Sequence, residues 1–227
     1  MLTVTARAMS PPLEYTSKSN AELLLLLDGS SPEALTHALT ALEWHLIYYA
    51  RYGQDGNPDA AQVANITAKA FLLLKNNGNT TIKLAATNLL YALDRLTDTT
   101  DQIEYCLTEK DPQVQVNALR ALQDIFSRRH QEMPPAAVSV LVQLLHPRGD
   151  TEDDMQILWQ AAAIAGNMGP QAKPMIPLLQ ILLRISANGS SFSEQEAHTY
   201  AYEALQKIDK DANTSPAKPL SVPQSHR

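Results

Sequence analysis

The chain has 227 residues, of which 44% are hydrophobic, 19% charged and 6% aromatic, and only eight are glycine. That length allows one or two domains with a buried core, and so little glycine disfavours phosphate-cradling loops and a multi-hairpin β fold. The formal charge of -6 sets the overall field against nucleic-acid phosphates, and a lone cysteine, Cys106, excludes an intrachain disulfide and any cysteine-based zinc site.

Over Met1–Ser19 the apolar residues are scattered and interrupted by Pro11-Pro12, unlike the hydrophobic region of a secretory signal. Residues 1–18 therefore read as a flexible segment. The longest apolar run, Leu23–Leu27, is far short of the roughly 20 residues that cross a bilayer. A cytoplasmic protein with no membrane contact is expected. A short helix is read at about 19–28. Ser31-Pro32 starts the next one, a capping hydroxyl followed by a proline whose fixed φ suits the first turn. From there Leu35, Ala38, Leu39, Leu42, Leu46 and Tyr49 recur at spacings of three and four, the signature of one helix face. The breaker cluster Gly53-Gln54-Asp55-Gly56-Asn57-Pro58 ends that helix.

A helix over about 58–75 closes at Asn76-Asn77-Gly78, and Ile82, Ala85, Ala86, Leu89, Leu90, Leu93 and Leu96 mark another over 80–96. Further helices are read at about 101–109, 112–129, 134–145, 153–168, 172–186 and 193–209. No segment alternates convincingly as a strand, so the fold class is all-α. Lys210–Arg227 is rich in Pro, Ser and Lys and reads as a disordered tail, because it lacks the apolar surface to offset ordering entropy.

The helices pair, and the pairs repeat. Asp111-Pro-Gln-Val114-Gln-Val-Asn-Ala118-Leu119-Arg-Ala121-Leu122-Gln-Asp-Ile125 aligns with the stretch from Asp154 through Ala161 and Ile164 to Met168. It also aligns with Glu194 through Ala201 and Ala204 to Ile208, and the three central alanines are spaced by about 43 and 40 residues. Weaker copies run from Ile82 to Leu96 and around Ala38 to His45. The acidic residue at each start suits the positive end of the helix dipole. Small residues in the middle permit close helix approach, and larger ones such as Leu119, Leu122 and Ile125 fill the layers between. A single helix pair cannot bury such a face alone, so the pairs are expected to stack.

The segment Ala161-Ala-Ala-Ile-Ala-Gly-Asn-Met-Gly169-Pro-Gln-Ala-Lys-Pro174-Met-Ile-Pro177-Leu-Leu-Gln-Ile-Leu-Leu183 resembles a HEAT repeat, and Ala204-Leu205-Gln-Lys-Ile208-Asp209 is similar to the usual end of one. The resemblance covers about 110–209 well and 19–100 loosely. It implies an armadillo-like, right-handed α-solenoid of about five helical hairpins over 19–209, in which the second helix of each pair lines a concave surface. This chain carries Gln115, Leu158 and His198 where the family often has an arginine, so the usual Asp–Arg ladder is interrupted.

No catalytic set emerges, and no cofactor or metal is expected. The histidines at 37, 45, 130, 146, 198 and 226 match no metal-ligand spacing, Cys106 sits in an apolar stretch, and Asp153-Asp154 and Glu194/Glu196 are explained by helix starts. Arg128-Arg129-His130, the one basic run, sits at a helix end where cations suit the carbonyls. A non-enzymatic protein-binding module follows. The face opposite the packed one carries Asn117, Arg120 and Asp124, then Gln160 and Asn167, then Tyr200, Glu203 and Lys207. The weaker copies add Asn88, Tyr91 and Arg95, and His37, Thr40, Trp44 and Tyr48. Tyr, Trp and Arg are the residue types enriched at interface hot spots. The partner is read as a protein, with a basic one favoured by charge. One concrete form is a bacterial immunity, antitoxin-type protein neutralising a basic toxin. The alternative is a HEAT-like bilin lyase, a chromophore-attachment factor, or an assembly scaffold subunit.

Overall fold

The structure, a computed structural model, describes residues 11–29, 31–52, 58–147, 149, 151–187 and 191–208, without the side chains of 49–52. The expectations for 1–10, for the cluster 53–57 and for the tail from 209 lie outside the described residues. The rest is helical, with no strand among the described residues. In chain order the helices are α1 (Leu13–Thr16), α2 (Asn20–Leu26), α3 (Pro32–Tyr52), α4 (Ala60–Asn76), α5 (Thr80–Leu93) and α6 (Thr100–Tyr105). They continue as α7 (Pro112–Arg128), α8 (Pro135–Leu144), α9 (Glu152–Met168), α10 (Ile176–Ile185) and α11 (Phe192–Ile208). Short 3-10 turns at Cys106–Thr108 and Gly169–Met175 follow α6 and α9. The all-α reading holds. The turn α1 is an addition, inside the segment read as flexible.

Side-chain caps set the helix starts. Ser19 accepts from the Glu22 amide while Glu22 reaches back, and Asp59 and Gln62 do the same for α4. Asn79 accepts from the amides of Thr81 and Ile82, and Asp111 from that of Gln113. The equivalence of Asp111, Asp154 and Glu194 as caps needs correction. In α9 the cap is Thr151, with Asp154 three residues in and accepting from the Thr151 hydroxyl at 2.6 Å. Glu194 likewise donates its amide to the Ser191 hydroxyl oxygen and accepts from the Ser191 amide. In α9 and α11 the acidic residue is thus a first-turn anion behind a capping hydroxyl, whereas in α7 Asp111 is itself the cap.

The stretch expected as one helix over 172–186 is divided. Gly169, with φ of 59°, ends α9 in the left-handed region that glycine tolerates, and a 3-10 turn containing Pro174 precedes α10. The helix read to Leu96 stops at Leu93, leaving Leu96 exposed.

The chain divides into two compact units, Met1–Leu141 and Val142–Arg227. In the first, α1 and α2 lie on α3, α3 packs on α5, α4 on α5, α5 on α7, and α6 with its 3-10 turn on α7. Its centre holds fully buried Leu39, Leu42, Ile66, Leu74, Ile82, Leu89, Leu90, Leu93, Ile103, Leu119 and Leu122. In the second, α11 packs along α9 and against α10, and the turn Gly169–Met175 touches all three helices. Gly166 is the close approach there: a Cβ on it would lie 2.9 Å from Ala204 Cα. No described helix is long and apolar enough to cross a membrane.

Candidate functional site

On α3, Trp44 and Tyr48 stand four residues apart on one helix face and stack, with ring centroids 4.8 Å apart and planes 17° from parallel. Trp44 is 39% exposed and Ile47 beside it is also open. The Trp44 edge meets the ring of His45 at 6.1 Å. His45 is buried; its Nε2 donates to the Thr16 carbonyl at 3.0 Å, and Nδ1 lies 2.9 Å from the Asn20 side-chain oxygen. This imidazole ties α1 and α2 to α3. His37 meets Tyr15 ring to ring at 4.9 Å, and the Thr40 hydroxyl donates to the Thr36 carbonyl. Those two members of the expected face are thus occupied within the chain.

Glu43 adjoins Trp44, and burial pushes its carboxyl up to about 7. Sequence reasoning passed over it. The signal was available: Glu43 stands four residues after Leu39 and three before Leu46, on the edge of the apolar stripe.

Across α5 and α7 the expected residues meet one another. Asn117 Nδ2 donates to Asn88 Oδ1 at 2.8 Å, and Tyr91 Oη donates to Asp124 Oδ2 at 2.6 Å. Arg128 Nε donates to the same Asp124 oxygen at 2.9 Å. The chain of contacts continues to Asp94, whose side chain is 1% exposed and accepts from Arg128 at 3.2 Å and from Arg129 at 2.7 Å. Arg129 also reaches Asp98 at 3.3 Å and the Thr100 hydroxyl at 3.1 Å. Burial, then the hydrogen bond to Asp124, pushes the Tyr91 phenol up to about 12. Hydrogen bonds from Thr100 and then Arg129 hold the Asp98 carboxyl below its usual range.

The basic run Arg128-Arg129 is therefore more than a helix-end feature. Its charges face Asp94, Asp98 and Asp124, and Asp94, the buried centre, was missed in the sequence. Arg95 is exposed and Arg120 half-buried.

The expected residues of the second unit do not share one open face. Gln160 is 4% exposed, because α9 is buried on most sides, while Asn167 is open. Tyr200 is half-buried and stacks on the buried Trp159 at 5.3 Å, with planes 19° apart. Glu203 and Lys207 are exposed and pair at 3.9 Å.

Cys106 is buried, and burial pushes its thiol up to about 11, far from an activated nucleophile. No group of three or more His, Cys, Asp or Glu among the described residues is arranged to hold a metal. A pocket of about 610 Å³ lies between α4 and the link from α5 into α6, lined by Val63, Ala64, Thr67, Leu96, Asp98 and Gln102 among others. Fold and surface together define an all-α protein with an aromatic patch on α3 and a paired polar ladder between α5 and α7. No family model matches the chain, and neither the curated proteins nor the solved structures contain a match.

Proposed function

We infer that the chain is a non-enzymatic protein-binding module, built as a HEAT-like α-solenoid, whose partner docks on the α3 end of the surface formed by α3, α5 and α7. The observation that carries this reading is the stack of exposed Trp44 on half-buried Tyr48, beside exposed Ile47. A preordered aromatic pair offers large contact area at little entropic cost, and Trp and Tyr are the residues on which interfaces concentrate their energy. Successive packing of α3 on α5 and α5 on α7 supports the solenoid form. The formal charge of -6 favours a basic partner, the immunity-type protein being one concrete form.

Asn88, Asn117, Tyr91 and Asp124 hold α5 and α7 together in this reading, and Trp44, Tyr48 and Arg95 are the contact residues. The test is affinity capture from native lysate with the full chain and with a Trp44→Ala/Tyr48→Ala variant of unchanged helicity. One protein retained stoichiometrically by the parent and at least tenfold less by the variant supports the reading. Equal retention moves the contact off α3. A coloured adduct or a turned-over substrate ends the non-enzymatic reading.

A further inference from the structure

The pocket beside α4 owes its shape to two local features of the sequence. Ala60, Ala64 and Ala68 recur every four residues on one face of α4, with Val63 and Thr67 alongside, so this wall is low and largely apolar. The other wall is the link from α5 into α6, held in place where the Thr99 hydroxyl donates to the Leu90 carbonyl at 2.8 Å. That link leaves Leu96 lining the pocket and 48% exposed. A volume of about 610 Å³ falls within the range of small-molecule sites.

The polar groups of the lining share one character: they offer acceptors. The Thr67 hydroxyl spends its proton on the Val63 carbonyl at 2.8 Å, which leaves its oxygen free to accept. Gln102 Oε1 is shielded from water and has no donor among the described residues, an arrangement that costs free energy until a donor reaches it. Asp98 is the one titratable side chain among the described lining residues. Its Oδ1 accepts from the Thr100 amide at 3.0 Å, the Thr100 hydroxyl at 2.6 Å and Arg129 at 3.3 Å. Oδ2 accepts from none of the described residues. Those bonds hold the carboxyl below its usual range, so it is an anion at neutral pH. Arg129 lies nearer buried Asp94, at 2.7 Å, and offsets the Asp98 charge only in part. Asp59 and Asp101, next in sequence to the lining residues Ala60 and Gln102, add negative charge at the rim.

We propose that this pocket binds a small organic ammonium ion, its hydrocarbon body lying along Val63, Ala64 and Leu96 and its head donating to Asp98 Oδ2 and Gln102 Oε1. Gln102 turns about its side-chain torsions to present that oxygen. An ammonium group carries three donors and no acceptor, which matches an acceptor-rich lining around a carboxylate. An anionic ligand meets no cation, since no Lys, Arg or His is among the described lining residues. A polar cation without a hydrocarbon body leaves the alanine wall and Leu96 uncovered.

The test titrates the full, isotope-labelled chain with 4-phenylbutylammonium and follows its amide resonances. Saturable shifts are expected at Thr67, Leu96 and Gln102. Affinity is expected to fall at least tenfold for Asp98→Asn, and at least tenfold when the probe is 4-phenylbutanoate. Ala64→Trp fills the pocket from an exposed position on α4, and is expected to abolish the shifts with helicity unchanged. This variant keeps the test decisive if Asp98→Asn disturbs the Arg129 contacts. Absence of saturable shifts, equal affinity for ammonium and carboxylate, or shifts that survive Ala64→Trp overturn the proposal. Equally tight binding of a blocked single lysine makes the occupant a protein side chain, and the small-molecule assignment fails. Because no partner protein enters the experiment, its outcome is independent of docking on α3.

Discussion

Two helix pairs that share one sequence pattern are joined in opposite ways. Between α5 and α7 the contact is bordered by polar side chains, with Asn88 bonded to Asn117, Tyr91 to Asp124, and buried Asp94 to Arg128 and Arg129. Between α9 and α11 the backbones approach closely instead, Gly166 lying against Ala204, with Ala161, Ala162 and Ala165 buried on one helix and Ala197 and Ala201 on the other. Small central residues are common to both pairs. What differs is whether the edge of the contact has long polar side chains that can find partners. A repeat pattern therefore fixes where helices touch but leaves open what holds them.

The sharpest way to break the contrast is at Asp94. Asp94→Ala strips two arginines of a buried anion, yet both are about a third exposed and regain water. A loss of about 2–4 kcal/mol is expected, read by urea unfolding. A loss below about 1 kcal/mol means the ladder is ornamental. The α9–α11 contact has the opposite vulnerability. Gly166→Val adds atoms where even a Cβ would sit 2.9 Å from Ala204 Cα, and is expected to cost about 1–3 kcal/mol. Ala204→Gly in that background restores little, because the clash is with backbone; full recovery in a melting experiment contradicts the close approach.

Glu43 and Tyr91 sharpen the account through pH. The folded Glu43 carboxyl is raised to about 7 by burial, so the folded state binds the proton more tightly than the unfolded state. Its contribution to stability falls as pH rises from about 4.5 to 7. Glu43→Gln is therefore expected to stabilise by about 1–2 kcal/mol at pH 8 and to be nearly neutral at pH 4. Equal effects at both pH values contradict the assignment. Tyr91, raised to about 12, acts in a higher window: its stabilisation is full below pH 10 and declines between 10 and 12. Tyr91→Phe should cost about 0.5–1.5 kcal/mol at pH 7, and less as pH climbs past 10, in parallel denaturant titrations.

Much of the helical layout was legible, because apolar spacing, Pro and Gly breakers and short polar caps are local signals. Ser31-Pro32, Asn76-Asn77-Gly78 and Gly169 all lie where helices begin or end. The caps of α9 and α11 were misplaced by three residues, since an acidic residue in the first turn and a hydroxyl before it look alike in a one-dimensional alignment. The candidate face was legible only as a set of outward positions. Between α5 and α7, which members are spent on one another depends on contacts 29 and 33 residues apart, Asn88 with Asn117 and Tyr91 with Asp124, and no local pattern encodes those. Asp94 was missed for the same reason: nothing in its neighbours announces that two arginines from α7 and its end will close over it. Gln160 was taken as open because its helix was assumed to have a free side, and α9 is nearly surrounded.

The two tryptophans carry the regional contrast into a direct test of binding: Trp44 is open on α3, and Trp159 is buried against Tyr200. Protein labelled with 5-fluorotryptophan gives one fluorine resonance for each, assigned with Trp159→Phe. On titration with the captured partner, the Trp44 resonance should shift and saturate at one equivalent while that of Trp159 stays in place. A partner that binds while the Trp44 resonance does not move contradicts docking on α3.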